Sequence, residues 1–355
     1  MKLTLLFGVL LLAGLASAAP TSKDDDKVIV IKELFEDKFA KYTAEHDIVN
    51  MLLPLNHLNF EDDDDEGSSD SYLFFVEADT DENGKRVDQG LYVMKNYNVT
   101  KLLDNGRDAA AGNDNTTNVY FAAKDGIYLY NVTQNNAEKY GTITDSIIGI
   151  AKVNNSDVIY ILTEDHVIYK VTDDGTKKTK VDGVVDAQQI VMDYENNLYY
   201  YTGDKQVYVI SADGVKKIEG LPAATYINLL KPPFIYDNGV PVIVNDNAYI
   251  VYVNGTVETT DFQFIDRPTA FSMEGTLIHY FAYNKTIYEY NVFEIMAKEI
   301  NSAIKEFLDD KQDSIQSIAT RSRSELIPPA EETPTTRESE IEGTTEEATR
   351  VEKLQ

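Results

Sequence analysis

Cysteine and tryptophan are both absent from the 355 residues. Without cysteine there is no disulfide framework, no thiol nucleophile and no thiolate metal site. Small secreted folds usually depend on disulfides, but a chain of this length can bury an adequate core without them. Histidine is scarce, with His46, His57, His166 and His279 the whole supply. No two of them stand at metal-ligand spacing and no G-x-S-x-G elbow occurs, so each reads as structural or surface, His279 as a strand residue. Basic residues are few, 32 against 60 acidic ones, for a formal net charge of −28. That field excludes nucleic acid and anionic membrane surfaces as partners. It suits an abundant protein of an extracellular fluid, soluble and repelled by its own copies. Long hydrophobic runs are missing too. The main one, residues 3–12, follows Met1-Lys2 and precedes Ala16-Ser17-Ala18, the layout of a secretory signal peptide. It is shorter than the roughly 20 residues that cross a bilayer. Residues 1–18 are read as the signal, cut between Ala18 and Ala19.

What the chain does have is tyrosine, 23 of them, and a phrase that recurs about every 40 residues. Each copy is an aromatic-rich strand, a short polar turn and a second strand centred on tyrosine. The second strands carry Tyr92, Tyr128, Tyr169, Tyr208, Tyr249 and Tyr288, at intervals of 36, 41, 39, 41 and 39 residues. One small sheet cannot bury both its faces, so strand repeats of this period imply a ring of blades. The pattern predicts an all-β, six-bladed β-propeller. Asp173-Asp174-Gly175, Asp213-Gly214 and Asn254-Gly255 supply turn chemistry for further strands. The apolar runs Ile147-Ile148-Gly149-Ile150 and Ile190-Val191-Met192 are expected to be innermost strands around the axis.

The propeller is placed at residues 71–292. Residues 19–70 form an N-terminal extension, in which Val28-Ile29-Val30-Ile31 is the candidate strand to complete the last blade. Leu34, Phe35, Phe39 and Tyr42 space as one face of a short helix. A helix is expected over residues 293–320, where apolar side chains recur at helical period. The Thr-, Glu- and Pro-rich residues 321–355 are expected to be a disordered acidic tail, open to O-glycosylation.

Chemistry is harder to find. The acidic run at residues 61–66 is contiguous, whereas a calcium loop alternates its ligands around a glycine, so a solvated loop is the better reading. Secreted six-bladed propellers include metal-dependent lactonases, which gather acids and amides from inner strands. Asp145, Asn154, Asp186 and Asp193 are the candidates for that role, and the capping of turns by Asp193 and its neighbours is the preferred alternative. The recurring tyrosines read first as packing between blades and, more sharply, as an aromatic-lined cavity. Asn98, Asn115, Asn131, Asn154, Asn254 and Asn284 each open an Asn-x-Ser/Thr sequon, and some are expected to carry glycans. No catalytic residue, metal ligand or cofactor is assigned.

Gly126-Ile127-Tyr128-Leu129-Tyr130-Asn131, Ala137-Glu138-Lys139-Tyr140-Gly141, Asp193-Tyr194-Glu195-Asn196-Asn197-Leu198-Tyr199 and Gly214-Val215-Lys216-Lys217-Ile218 resemble the insect ommochrome-binding proteins. The likeness runs over residues 71–300. It implies a secreted haemolymph protein, not an enzyme, that binds tryptophan-derived pigments, with no ligand residue to carry over. Lack of cysteine, the acidic extension and the long tail set this chain apart. The expected function is therefore secreted binding of a small planar metabolite of ommochrome type. The alternatives are a glycosylated structural or interaction protein of silk, cuticle or saliva, and a calcium-dependent lactonase or esterase.

Overall fold

The computed structural model describes residues 28–55, 72–113, 116–234, 236, 238–275 and 278–291. The signal segment 1–18 with Ala18 and Ala19, the acidic run 61–66, His57, Asn115, the helix expected at 293–320 and the tail lie outside those residues.

The chain is an all-β, six-bladed β-propeller. Two short strands come first, β1 (Val28–Val30) and β2 (Ala40–Thr43). Blade one is β3 (Ile48–Leu52), β4 (Tyr72–Thr80), β5 (Arg86–Lys95) and β6 (Asn98–Leu103). Blade two is β7 (Gly106–Ala111), β8 (Val119–Ala123), β9 (Gly126–Asn131) and β10 (Asn136–Tyr140). Blade three is β11 (Ile147–Lys152), β12 (Ile159–Thr163), β13 (Ile168–Thr172) and β14 (Lys177–Lys180). Blade four is β15 (Ala187–Met192), β16 (Leu198–Thr202), β17 (Val207–Ser211) and β18 (Gly214–Lys217). Blade five is β19 (Ile227–Leu229), β20 (Gly239–Val244), β21 (Asn247–Tyr252) and β22 (Val257–Phe264). Blade six is β23 (Ala270–Ser272), β24 (Ile278–Tyr283) and β25 (Thr286–Asn291), completed by β2. The first strand of each blade faces the axis, as the apolar runs at 147–150 and 190–192 led us to expect.

The closing strand is not the one expected. β2 pairs antiparallel with β25, Thr43 opposite Thr286 and Tyr42 opposite Ile287. Val28–Val30 instead runs parallel to β22 on the outside of blade five, Val28 beside Phe262 and Val30 beside Phe264. The β-branched run was a sound strand signal, but propensity does not choose a partner. The aromatic spacing of residues 34–42 also misled. It comes from two single 3₁₀ turns, Lys32–Leu34 and Asp37–Phe39, not one helix. Their rings are used in tertiary packing: Phe35 stacks on Tyr283 at 4.5 Å and Phe39 tilts against Tyr290 at 4.7 Å. The propeller therefore begins at Ala40, before the boundary expected at residue 71, because Ile48–Leu52 is the inner strand of blade one and is separated from β4 by the acidic insertion.

Tight hairpins account for much of the register. Asn284 and Lys285, between β24 and β25, have φ of 47° and 63°, and Asn96 and Tyr97, between β5 and β6, have 49° and 64°. Two successive residues in the left-handed region make the turn whose twist matches a β-ribbon. The recurring tyrosines pack between strands and blades. Tyr92, Tyr128 and Tyr208 sit opposite Lys101, Lys139 and Lys217 on the next strand. The amino groups of Lys101 and Lys139 lie 5.5 and 4.6 Å over their rings, and Lys178 lies 4.7 Å over Tyr169. Tyr92 and Tyr208 stack on Phe75 and Tyr200, each pair at 5.2 Å. Of the run Tyr199-Tyr200-Tyr201, the first and third face blade five and the second packs toward blade three, as strand alternation requires.

Candidate binding site in the hub

The inner strands bring a belt of polar side chains to the axis. Asp108 on β7 is its centre and is 5% exposed. Its Oδ1 accepts from Asn50 Nδ2 of blade one at 2.5 Å and from Ala109 N at 2.7 Å. Its Oδ2 accepts from Ile150 N of blade three at 2.8 Å. Lys231, just after β19, reaches across the hub from blade five, donating to Ala109 O at 2.6 Å with its Nζ 3.7 Å from Asp108 Oδ1. One carboxylate thus ties four blades together, with its charge met by a lysine and its lone pairs filled, as burial of an ion requires.

Other belt members work in the same way. Gln189 on β15 imitates a backbone unit against Leu229 of blade five, accepting Leu229 N at 2.9 Å and donating to Leu229 O at 2.9 Å. Ser272 on β23 accepts Leu53 N of blade one at 3.0 Å and donates to Glu274 Oε2 at 2.6 Å.

Lys231 divides the hub. On the side where the inner strands finish lies a cavity of about 70 Å³ lined by Leu53, Ala110, Lys152, Met192, Tyr194 and Glu274 among others. On the side where they begin lies one of about 90 Å³ lined by Asn50, Asp108, Gln189, Asn228 and Phe271 among others. Lys231 borders both. On this measure a single water needs about 10–15 Å³, so each cavity admits a few water-sized groups. None of the six recurring tyrosines lines either cavity, so the aromatic-lined pocket suggested by their repetition is not what the hub provides.

Electrostatically, Glu274 stands out. Burial pushes its carboxyl up to about 7, against the pull of the nearby Lys231 charge. Among the described residues its Oε1 is buried without a hydrogen-bond partner. Burial also raises the Asp193 carboxyl, while hydrogen bonds from Asn197 lower it. Tyr194 is raised by burial and by Glu274, and its hydroxyl donates to Pro232 O at 3.0 Å.

Of the acids and amides singled out from the sequence, Asn154 and Asp193 line the finishing-side cavity together with Glu274, and Asp145 and Asp186 line neither cavity. Asp145 and Asp186 stand where the inner strands of blades three and four begin. Asp145 pairs with Lys178, and Asp186 accepts from Gln188 Nε2 at 2.8 Å and Gly203 N at 3.2 Å. Asn154 and Asp193 stand where those strands finish. Six residues of strand, about 20 Å at the usual rise, separate the two ends. Asp193 caps its own turn, accepting from Asn197 N at 2.8 Å and Glu195 N at 3.1 Å. Asn154 stitches neighbouring turns, accepting Asn113 N at 2.7 Å and donating to Tyr194 O at 3.1 Å. Among the described residues no group of three or more His, Asp or Glu is placed to hold a metal ion. His46 pairs with Asp79 at 2.6 Å, His166 contacts Ala187 O at 2.9 Å, and His279 is buried in β24. Of the sequons, Asn254 and Asn284 lie on exposed hairpin turns, Asn98 is exposed at the start of β6, and Asn131 is half-buried.

Sequence reasoning missed Asn50, Asp108, Gln189, Lys231 and Glu274. A signal was present in the repeat. Lys152, Asp193, Lys231 and Glu274 each fall within two residues of the end of an inner strand in successive blades, so charges of alternating sign recur near the same end of the inner strands around the ring.

No family model matches the chain, and no curated protein does. Solved structures share the fold at low identity. An uncharacterised protein of Bacteroides thetaiotaomicron is 12% identical over 69% of this chain and 69% of its own, with a TM-score of 0.46. A gluconolactonase of Xanthomonas campestris is 8% identical over 77% and 98%, at 0.49. PorZ, a surface component of the type-IX secretion system of Porphyromonas gingivalis, is 12% identical over 70% of this chain, at 0.42, and the match spans 37% of PorZ.

Proposed function

We propose that the protein is a secreted, non-enzymatic binder of a small planar metabolite, of the ommochrome class that the sequence resembles, held in the hub. The observation that carries this reading is the cavity of about 70 Å³ on the far side of Lys231. Its apolar walls are Leu, Ala, Pro, Ile, Val and Met side chains, with Lys152, Asp193, Tyr194, Lys231 and Glu274 among the polar groups set into them, and apolar walls with fixed polar groups mark a small-molecule site. The belt residues are committed to one another by hydrogen bonds, which gives a rigid receptor whose side chains need little ordering on binding. Titration of the recombinant protein with xanthommatin is expected to give a saturable shift in visible absorbance. Absence of binding at micromolar concentrations overturns the reading.

A further inference from the structure

We infer that the hub receives its ligand by a protonated primary amine, which docks on the free oxygen of Glu274. This inference rests on the reading of the hub as a small-molecule site and names the chemical group that site selects.

Three observations carry it. Glu274 is 5% exposed and borders the cavity on the finishing side of the inner strands. One carboxylate oxygen is held by Ser272 Oγ at 2.6 Å, the backbone amides of Met273 and Glu274 steady the group's charge, and among the described residues the other oxygen, Oε1, has no hydrogen-bond partner. A buried acceptor without a donor is rare in folded proteins and asks for one. The second observation is charge. The acids facing this cavity are Asp193 and Glu274 and the bases Lys152 and Lys231, beside the Tyr194 hydroxyl, and Lys231 is also claimed by Asp108, which faces the other cavity. The third is that every other member is already committed. Lys231 serves Ala109 O and Asp108. Lys152 donates to Val153 O at 2.7 Å and to Ser156 O. Asp193 is enclosed by the amides of its own turn. The Tyr194 hydroxyl is turned to Pro232 O. Lys231 is therefore shared between Asp108 and Glu274, and the empty acceptor position belongs to Glu274.

An ammonium group supplies both a donor and a compensating charge, forming the stronger, charge-assisted kind of hydrogen bond. A hydroxyl would fill the acceptor but leave the charge. A divalent cation would need several oxygen ligands, and Asp108 has none to spare. Because burial holds the Glu274 carboxyl up to about 7, it is partly protonated at neutral pH in the empty protein. A cation beside it favours the carboxylate, so binding expels that proton and weakens as pH falls.

The test compares xanthommatin, which carries a free aliphatic amine, with its N-acetyl derivative, by absorbance titration of wild-type protein and Glu274→Gln. At pH 8 the wild type is expected to bind the free amine about tenfold or more tighter, the span of one hydrogen bond to a charged group. In Glu274→Gln that preference is expected to collapse to within about twofold. In the wild type, affinity for the free amine should drop between pH 8 and pH 5.5, while that for the acetyl form stays level. This pH arm decides the matter if Glu274→Gln does not fold. Equal binding of both forms by the wild type overturns the amine inference and leaves the hub reading standing. A preference that survives in Glu274→Gln does the same, since the acetyl group is then merely too large. Failure of both forms to bind overturns the two together.

Discussion

Replacing Lys231 by methionine should reveal how much the ring depends on its cross-hub strut. The substitution keeps most of the aliphatic stem and removes the charge that faces Asp108 and the donor to Ala109 O. Asp108 keeps three donors, Asn50 Nδ2 and the amides of Ala109 and Ile150, but its charge is left in a site where it is 8% exposed. Removing one partner of a buried ion pair costs roughly 3–5 kcal/mol. The lysine side chain is 21% exposed and the pair is 3.7 Å apart, so the low end, about 3 kcal/mol, applies. For a domain of this size that is a fall in Tm of about 6–12 °C. The double variant Asp108→Asn/Lys231→Met removes the stranded charge and should recover part of the loss, because a neutral amide still offers one acceptor to the belt. Thermal melts of wild type, both single variants and the double variant at one pH make the comparison. A Lys231→Met melt within 1 °C of wild type, or a double-variant loss equal to the sum of the singles, refutes the claim that the two groups act as a pair across the hub.

The Glu274 carboxyl lies near 7 in the folded protein against an ordinary value of 4.5, so the native state holds its proton over that window and the unfolded chain does not. Its contribution to stability is therefore complete below about pH 4.5 and is lost as pH rises through 7, a change of about 3 kcal/mol. The difference in Tm between Glu274→Gln and wild type should move in favour of the variant across this range; a pH-independent difference contradicts the assignment. Truncation before Lys32 removes only β1 from the outside of blade five and should leave a cooperative transition at lower Tm. Truncation before Ala44 removes the closing strand and should abolish that cooperativity, followed by circular dichroism; equal behaviour of the two truncations argues against closure by β2.

The ring was legible because its cause is periodic. A tyrosine-bearing strand every 40 residues, with turn residues at matching offsets, leaves few architectures able to bury both faces of each sheet. The identity of the closing strand was not legible. Val28–Val30 has the higher strand propensity, yet Ala40–Thr43 closes the ring, because Phe35, Phe39 and Tyr42 dock on blade six and blade one. The candidate site was concealed for a related reason. Asp108 sits in Gly106-Arg107-Asp108-Ala109, which reads as a polar turn, and only the ring puts it opposite Lys231, 123 residues later. Asp193 draws notice because it opens the turn phrase Asp193-Tyr194-Glu195-Asn196-Asn197 after an apolar inner strand, whereas Glu274 stands in Ser272-Met273-Glu274-Gly275 with no such phrase around it.

Closure by β2 has a consequence for biosynthesis. Thr43 and Thr286 share a hydrogen bond of 3.0 Å across 243 residues, so one of the first segments made must wait for nearly the last. At about 5–20 residues per second that interval is roughly 12–50 s. Through it Tyr42 and its neighbours have no sheet to join, and blades two to five are free to assemble against one another in order. The final snap of the wheel is then a single long-range event, the slow kind by chain topology, and it falls after the ribosome has finished with every blade.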